Sequence, residues 1–412
     1  MGSPTRRSLL ILATLDTKGR EALFVKAEAE RLGVRGLLMD VGLRPSPYKA
    51  DIGSSNVCEA AGYSLEDALQ RGRAFAIEAM QKGAGETAQA LYREDRIHGI
   101  LGIGGGTGTA IATHVMRMLP FGFPKVMVST VASRDVRPYV GVKDIVMFHS
   151  VADLLGFNSF TRSILSRATC AVCAMMGGHA SFVPERPLIA LTAYGINSSC
   201  AFHVEPLVTE RGYELICFHA NGCGGMAMEE MVREGLIRGV LDFTLHEFVD
   251  DMFGGYCRGI GDERLRVALE TSTPIVIVPG GLDNAVFSPS HPMPECLKGR
   301  KVHRHDERFC VRMHVPELQA LASKIGARIK GCKGPIYVLI PKKGLSEIDR
   351  EGTEFYDGEA IRAFTEVLKD SVDIPIEECD LHISDEAFAR KAVEILFRMI
   401  ESKGPYTSSC PN

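Results

Sequence analysis

The sequence contains no apolar run longer than an ordinary β-strand. A membrane-spanning helix needs about 20 predominantly apolar residues, so we expect no membrane partner. The first apolar run, residues 9–15, continues directly into Asp16 and Lys18, and therefore has the form of neither a secretory signal nor a membrane anchor. Without a secretory signal, the 12 cysteines predict reduced thiols and a cytoplasmic location.

The chain also lacks a large charge excess of either sign. Its formal net charge is −4 over 412 residues, so no global basic field attracts nucleic acid, and we expect no nucleic-acid partner. A local basic patch is left open by this argument. The balance of 45% hydrophobic and 24% charged residues is typical of a soluble globular protein, and the length favours two or three domains.

Strand-like apolar runs alternate with helix-like segments along both halves of the chain. The pattern begins with a strand over residues 9–15, a turn over 14–19 and a helix over 20–32. A proline-containing linker over residues 181–187 interrupts it, and it restarts at residue 188. Strands separated by helices indicate βαβ units. We therefore predict two doubly wound, Rossmann-like α/β domains with mainly parallel sheets, residues 1–184 and 185–412.

The strongest local signal is the glycine-rich run GIGGGTGT, residues 102–109, between a predicted strand over 97–103 and a predicted helix over 110–119. Glycines let an anion approach the N–H groups at the positive end of a helix, and threonines add hydroxyl donors. No lysine follows, so the run is not a Walker A loop. The alternative is a tight turn that needs several positive φ angles. We favour a phosphate site at Gly104, Gly105, Gly106, Thr107, Gly108 and Thr109.

Two more polar segments follow predicted strands in the first half. The first strand leads into Asp16, Thr17 and Lys18, where the lysine can neutralise phosphate and the aspartate can bind ribose or a metal ion. A helix N-cap at Asp16 or Thr17 is an equally weighted alternative. The segment STVAS closes another strand, and makes Thr130 and Ser133 further candidates for nucleotide binding unless it is an ordinary polar turn.

The second half repeats this arrangement at four predicted strand ends. Because parallel strands end at one edge of a sheet, we expect these four segments to form one cleft. His219, Glu247 and Asp283 are the candidate catalytic residues, although a helix cap or a turn is the alternative for single members. The other residues predicted to line the second-domain cleft are Asn197, Asn221, Gly222, Gly224, Gly225, Thr244, Gly280 and Gly281.

No segment completes a recognised set of metal ligands, so we assign no metal site. His303 and His305 could share one face of an extended segment, but no cysteine or carboxylate cluster accompanies them, and their role stays open. Cys170 and Cys173 have C-x-x-C spacing without a second pair, so we expect buried thiols. The G-x-S-x-G pattern of a nucleophile elbow is also absent from the sequence.

Taken in order, several motifs resemble those of a known family; they read TLDTK, GIGGGTGTA, PKVMVSTVAS, FHANGCGGMAMEEMVREGLIRGVLDFTLHE, VPGGLDNAVF and IPKKGLSEIDREGTEFYD. The sequence resembles the ATP-binding domain family of the tomato mosaic virus resistance protein and its uncharacterised bacterial and fungal relatives, over residues 9–400. The resemblance implies a Rossmann-like first domain, a second α/β domain, ATP as ligand with or without Mg²⁺, and homodimers. It also implies a separate partner carrying the barrel-type domain that some relatives have fused to this one.

These features predict an ATP-binding protein that acts as a nucleotide-dependent enzyme on a small metabolite. A function of another class is the alternative: a non-catalytic nucleotide-binding regulator or scaffold that acts through a protein partner. Both functions use the same glycine-rich segment, so the sequence leaves open whether ATP is hydrolysed and which metabolite is the substrate.

Overall fold

A computed structural model describes residues 7–177, 182, 184–332 and 334–402. The chain divides into two compact units, Met1–Val183 and Pro184–Asn412, referred to below as unit 1 and unit 2. Each unit is built on a parallel sheet flanked by helices, so the predicted two-domain α/β fold is confirmed. The predicted boundary lies between residues 184 and 185, and the predicted linker over 181–187 falls partly outside the described residues.

Unit 1 contains a five-stranded parallel sheet with the order β2-β1-β3-β4-β5. Its strands are β1 (Ser8–Ala13), β2 (Arg35–Asp40), β3 (Gly99–Gly104), β4 (Lys125–Ser129) and β5 (Val146–His149). Its helices are α1 (Leu15–Arg31), α2 (Ser54–Ala60), α3 (Leu65–Gln70), α4 (Arg73–Arg93), α5 (Gly106–Arg117), α6 (Arg137–Val140) and α7 (Ser159–Gly177).

Strand β1 is apolar from Leu9 to Ala13 because helices cover both faces of its sheet. Leu10 and Leu12 pack with residues of α4 and α5, whereas Leu9 and Ile11 pack on the opposite face with residues of α1 and α7. A strand buried on both faces needs a continuous aliphatic run instead of an alternating pattern. Helices α1 and α5 therefore lie on opposite faces of the unit 1 sheet.

Unit 2 contains a six-stranded parallel sheet with the order β14-β13-β9-β8-β6-β7, and an antiparallel sheet with the order β10-β12-β11. The strands are β6 (Leu188–Ala193), β7 (Glu214–His219), β8 (Ile237–Asp242), β9 (Ile275–Ile277), β10 (Asn284–Phe287), β11 (Val302–Arg304), β12 (Phe309–Arg312), β13 (Ile336–Pro341) and β14 (Ile376–Cys379). The helices are α8 (Ser199–Thr209), α9 (Gly224–Arg233), α10 (His246–Phe253), α11 (Val267–Glu270), α12 (Val315–Ile329), α13 (Gly358–Ser371) and α14 (Glu386–Glu401).

Two sequence expectations about local structure were wrong. Helix α5 begins at Gly106 instead of residue 110, so most of the predicted glycine-rich turn forms the first turn of a helix. Helix α1 likewise begins at Leu15, inside the predicted polar turn. Glycine and polar residues have low helix propensity, but packing of the helix against the sheet outweighs that preference.

The cysteine pair of helix α7 also differs from expectation. Cys173 is partly buried, and burial raises the pKa of its thiol to about 11. Cys170 is exposed, so the expected burial of both thiols was wrong. His303, in strand β11, and His305 are both exposed. Within the described ranges, no helix combines the length and the apolar character that crossing a membrane requires.

Gly83, in helix α4, provides a test of the packing of unit 1. A Cβ added there would overlap the backbone carbonyl oxygen of Val57 in α2, which cannot move without shifting that helix. Helix propensity alone would make Gly83→Ala stabilising by about 0.5–1 kcal/mol. We expect it instead to destabilise the protein by about 1–3 kcal/mol, because overpacking forces the backbone to move.

Differential scanning calorimetry would measure this change. Ala90→Gly, at an exposed position of the same helix, gives the propensity effect alone, a loss of about 1 kcal/mol. A Gly83→Ala protein more stable than the parent would contradict the close contact between α2 and α4.

Candidate functional site

A cavity of about 290 Å³ lies at the carboxyl edge of the unit 1 sheet, between the segments that follow β1 and β3. We call it the unit 1 pocket. Its lining residues are Thr14, Asp16, Thr17, Lys18, Leu43, Arg44, Arg73, Gly105, Gly106, Thr107 and Gly108. The structure thus brings together seven of the residues predicted to bind a nucleotide, from two segments about 90 residues apart in sequence.

The position of the unit 1 pocket follows from the strand order. The chain runs from β1 to β2 on one side, and then crosses to β3 on the other side of β1. Helices α1 and α5 leave these neighbouring strands on opposite faces, so the backbones diverge and leave a crevice between them. Open α/β sheets with the order 2-1-3-4-5 bind ligands at this switch point.

The glycines of this segment are not required by backbone angles. Among the described residues with positive φ, none belongs to residues 102–109, so the tight-turn alternative fails. Gly104 is required by packing, because a Cβ there would lie 2.7 Å from the Cα of Gly108. Apart from adjacent residues, a Cβ at Gly105 would have one neighbour within 4 Å, the Thr130 hydroxyl at 3.6 Å. At Gly106 it would have none apart from adjacent residues and the backbone of α5 itself. These last two glycines therefore leave open space in the pocket.

Helix α5 points its amino terminus into this space. Its N-cap is Gly105, which has no side chain and cannot satisfy the N–H groups of the first turn. Those N–H groups and the partial positive charge of a 12-residue helix together form a favourable environment for an anion. The geometry therefore suits a phosphate or carboxylate group.

Three cationic side chains line the same pocket. Lys18 is buried and its Nζ donates to the carbonyl oxygen of Leu154 at 2.5 Å, whereas Arg44 and Arg73 are exposed. An Arg73 guanidinium nitrogen lies 3.5 Å from the Thr107 hydroxyl. Arginine at a partly open site suits the multidentate recognition of phosphate.

A pair of carboxylates lies beside these cations. Asp16 is in the first turn of α1 and not at the N-cap, which is Thr14, and its Oδ1 is buried without a hydrogen-bond partner. Asp40, the last residue of β2, accepts the N–H groups of Leu15 at 3.0 Å and Gly42 at 2.8 Å. Burial raises the pKa of Asp40, and the negative charge of Asp16 raises it further. Asp16 Oδ1 is thus a buried carboxylate oxygen without a hydrogen-bond donor, whereas Asp40 Oδ1 has two.

The remaining predicted nucleotide-binding residues lie outside the pocket lining. The Thr109 hydroxyl is buried and lies 2.7 Å from the Ser129 hydroxyl. Thr130 adjoins Gly105, and Ser133 is exposed in the turn that follows β4. Sequence reasoning missed Asp40, the last residue of β2, and Arg44, which follows that strand as Asp16 follows β1. It also missed Arg73, because Arg73 is the first residue of helix α4 and does not follow a strand.

The corresponding crevice of unit 2 is filled by side chains of the unit itself. Strand β6 lies between β7 and β8, so the switch point falls between β6 and β8. There the fully buried Asn197 donates to the Thr244 hydroxyl at 2.7 Å, and the Tyr194 ring stacks on His246 at 4.8 Å. The side chains of Asn197 and Thr244 therefore bond to each other instead of lining an open cleft.

Glu247 is committed to a buried ion-pair cluster. Its Oε2 accepts from Arg264 Nε at 3.3 Å, and Arg264 also donates to Asp242 at 2.7 Å and to Glu229 at 2.8 Å. All four side chains are fully or almost fully buried. A buried arginine surrounded by three carboxylates gives Glu247 a structural role. A catalytic role for Glu247 stays a prediction.

Asp283 is also fully buried. Its Oδ2 accepts the Ser346 hydroxyl at 2.8 Å and lies 3.7 Å from Arg312. Arg312 also pairs with Asp349 at 3.1 Å. Burial raises the pKa of Asp349 to about 7, and the negative charge of Asp283 contributes to the shift. Of the three candidate catalytic residues, only His219 is exposed. The pKa of its imidazole is lowered, first because the ring is partly removed from water and second because of the positive charge of Arg308.

The glycines of unit 2 serve the packing of their own chain. A Cβ at Gly224, Gly225 or Gly280 would overlap, respectively, His219, Arg264 or Phe243. Two others have positive φ angles, 93° at Gly222 and 74° at Gly281. Asn221 is partly buried beside them. None of these positions has the open space that characterises Gly106.

Models of one protein family match both units. The N-terminal domain of the uncharacterised protein family UPF0261 matches residues 7–181, and the C-terminal domain of the same family matches residues 186–400. The chain belongs to this family. The predicted relationship to the tomato protein is confirmed as well, because relatives of that name share the family's sequence.

Individual relatives of the family cover most of the chain. A UPF0261 protein of Clostridium tetani is 38% identical over 402 residues, 96% of this chain and 99% of that protein. The ToMV resistance protein Tm-1(GCR237) of Solanum lycopersicum is 32% identical over 348 residues, 82% of this chain but 46% of the tomato protein. Among solved structures, the S. aureus MnaA–UDP complex covers 90% of this chain and 100% of its own at 10% identity, with a TM-score of 0.23.

The buried cluster around Arg264 provides a test of its structural role. Arg264→Met would leave the carboxylates of Asp242, Glu229 and Glu247 buried without their shared cation. We expect this change to lower the free energy of unfolding by about 3–5 kcal/mol, as breaking a buried ion pair does. Equilibrium urea unfolding followed by circular dichroism would measure the loss.

The matched control is Arg266→Met, two residues away at an exposed position, which should change the free energy of unfolding by less than about 0.5 kcal/mol. Equal stability of the two variants would show that the Arg264 cluster does not hold unit 2 together, and would strengthen the prediction that Glu247 is catalytic.

Proposed function

We propose that unit 1 binds a phosphate-bearing ligand in the unit 1 pocket, and that this ligand is ATP. One observation carries the proposal: at Gly106, at the uncapped amino terminus of α5, no atom outside the adjacent residues and the backbone of the helix itself lies within 4 Å of where a Cβ would be. A phosphate placed there would meet the N–H groups of the helix without steric obstruction. The cavity volume of about 290 Å³ is at the lower end of the range for ligand pockets, enough for the phosphate end of a nucleotide.

Each lining group has a role in this proposal. The N–H groups of the first turn of α5 would hold the phosphate oxygens, and Arg44 and Arg73 would neutralise their charge. The Thr14 and Thr17 hydroxyls, 2.8 Å apart, would offer further hydrogen bonds at the rim. Asp16, whose Oδ1 has no partner, would be the residue for a bound Mg²⁺, because carboxylate oxygens and phosphates are its preferred ligands.

The proposal includes two functions, which differ in whether the protein hydrolyses or transfers the phosphate of the bound nucleotide. A nucleotide-dependent enzyme acting on a small metabolite would use His219, Glu247 or Asp283. A non-catalytic nucleotide-binding regulator acting through a protein partner is supported by the burial of Glu247 and Asp283 in internal bonds. Homodimer formation and a separate barrel-type partner are compatible with both functions, and both stay predictions.

The first experiment compares ligands that differ in phosphate content. We expect ATP with Mg²⁺ to raise the melting temperature of the full chain, because a ligand bound only by the folded state stabilises it by about 2.7 kcal/mol at 100 times its Kd. Pyrophosphate should bind and adenosine should not, since the pocket recognises phosphate. Isothermal titration calorimetry would measure each affinity. Binding of none of the phosphate ligands at millimolar concentration would remove the proposal.

The same protein samples distinguish enzyme from regulator. Release of ADP or of a phosphoester in the presence of a metabolite pool would support the enzyme. Saturable ATP binding without any product would support the regulator.

A second experiment targets the glycine that carries the proposal. Gly106→Val would place a side chain in the space of the phosphate, and since φ is negative and the Cβ position is open, the fold should be unaffected. We expect the affinity for ATP to fall at least about tenfold, equivalent to the loss of about 1.4 kcal/mol of binding free energy.

Gly195→Val is the matched control, because Gly195 also has open space at its Cβ position but lies in unit 2, where it begins a short 3₁₀ helix. It should bind ATP as the parent does. If Gly106→Val retains full affinity while remaining folded, the ligand does not occupy the unit 1 pocket.

A further inference from the structure

Unit 2 contains a group of potential metal ligands that belongs neither to the unit 1 pocket nor to the predicted cleft. His246, Asp250 and Cys257 are each fully buried, and one ligand atom from each lies within 4.8 Å of the other two. The three residues span only 12 positions of the sequence HEFVDDMFGGYC. Nitrogen, oxygen and sulfur donors therefore converge in a water-excluded part of the protein.

The local fold explains how three nearby residues meet at one point. His246 and Asp250 are four residues apart on α10, so they share one face of that helix. The helix ends at Gly254 in the left-handed conformation, with φ 71°, which reverses the chain. Gly255 then passes directly against Asp250, where a Cβ would lie 2.5 Å from its Cγ. This turn returns Cys257 to the helix, and its N–H donates to Asp250 Oδ2 at 2.7 Å.

The ring of His246 is held in one orientation. Its Nδ1 lies 3.0 Å from the carbonyl oxygen of Gly281, which can only accept, so Nδ1 carries the hydrogen. Nε2 is buried and lies 3.4 Å from Asp250 Oδ2, and in the neutral ring it presents its lone pair at that position. Tyr194 stacks on the ring with an interplanar angle of 12°. A metal-ligating histidine characteristically donates its other N–H to a carbonyl or a carboxylate in this way.

A buried cysteine, histidine and aspartate could also suggest a catalytic triad, but the geometry argues against it. In a triad the carboxylate orients the histidine from Nδ1, so that Nε2 faces the nucleophile. Here Nδ1 is bonded to the Gly281 carbonyl, and it is Nε2 that lies 3.4 Å from Asp250 Oδ2. The Cys257 thiol is also fully buried, away from any substrate.

We propose that His246 Nε2, Asp250 Oδ2 and Cys257 Sγ bind one zinc ion. Two ligand atoms that are each about 2.1 Å from a tetrahedral zinc lie about 3.4 Å apart, and this is the separation of His246 Nε2 and Asp250 Oδ2. The mixed nitrogen, oxygen and thiolate set suits Zn²⁺ better than Mg²⁺ or Ca²⁺, which prefer oxygen. Three protein ligands leave one coordination position for water.

The surrounding groups complete such a site. Asp250 is fixed by the N–H of Val286, which donates to Oδ1 at 2.8 Å, in addition to the N–H of Cys257. On binding, the zinc–sulfur bond forms and the thiol proton of Cys257 leaves to solvent, so Zn²⁺, thiolate, carboxylate and neutral imidazole sum to zero charge. A neutral site is compatible with full burial, whereas an uncompensated carboxylate is not.

Because the group is buried, the metal would enter during folding, and the test uses the untagged full chain grown and refolded with Zn²⁺ or Co²⁺. We expect about one equivalent of metal per chain by inductively coupled plasma mass spectrometry. The Co²⁺ protein should show tetrahedral d–d absorption together with a thiolate-to-cobalt charge-transfer band. Cys257→Ser should remove the charge-transfer band and lower the metal affinity by at least about 100-fold.

Cys200→Ser is the matched control, because Cys200 is equally buried in unit 2 but packs in its apolar core. It should retain both the metal and the band. Should Cys257→Ser fail to fold, removal of the metal from the parent chain by a chelator gives an independent readout, a lower melting temperature that Zn²⁺ restores on refolding. A parent chain with no metal, or a band unchanged in Cys257→Ser, would overturn the proposal.

Discussion

The parallel pairing of β1 with β3 is the constraint on which the unit 1 pocket depends. Since the chain visits β2 before it crosses back to β3, the helices after these neighbouring strands must leave on opposite faces of the sheet. No connection can then close the crevice between the two strand ends. The opening lies between the amino terminus of α5 and the first turn of α1. It is a consequence of the strand order and does not depend on particular side chains.

Unit 2 has the same topology and uses it differently. The order β7-β6-β8 repeats the order β2-β1-β3, yet Asn197, Thr244, Tyr194 and His246 fill the equivalent position. Buried polar groups are tolerated there because they satisfy each other, as Asn197 does with Thr244. Nε2 of His246 is one of several buried polar atoms of unit 2 without a hydrogen bond, and it lies beside the carboxylate of Asp250 and the thiol of Cys257.

The sequence predicts the fold well because its strongest signals are local. The continuous aliphatic run of β1 reports a strand buried on both faces, and the glycine-rich run reports the position of a strand end. The unit 1 pocket is only partly predictable, since Arg73 reaches it from helix α4 through tertiary packing. The burial of Glu247 could not be predicted from the sequence either, because it depends on an ion pair with Arg264, 17 residues further along the chain.

The glycines of the two units differ in what the fold requires of them, and composition alone does not reveal this difference. Five glycines after its strands suggested a cleft, but each is needed by its own chain, either for a positive φ or because a neighbouring atom occupies the Cβ position. At Gly106, the first residue of α5, the fold imposes neither requirement. Gly106 therefore leaves open space beside the uncapped N–H groups of α5, and it is this space that the proposed phosphate would occupy.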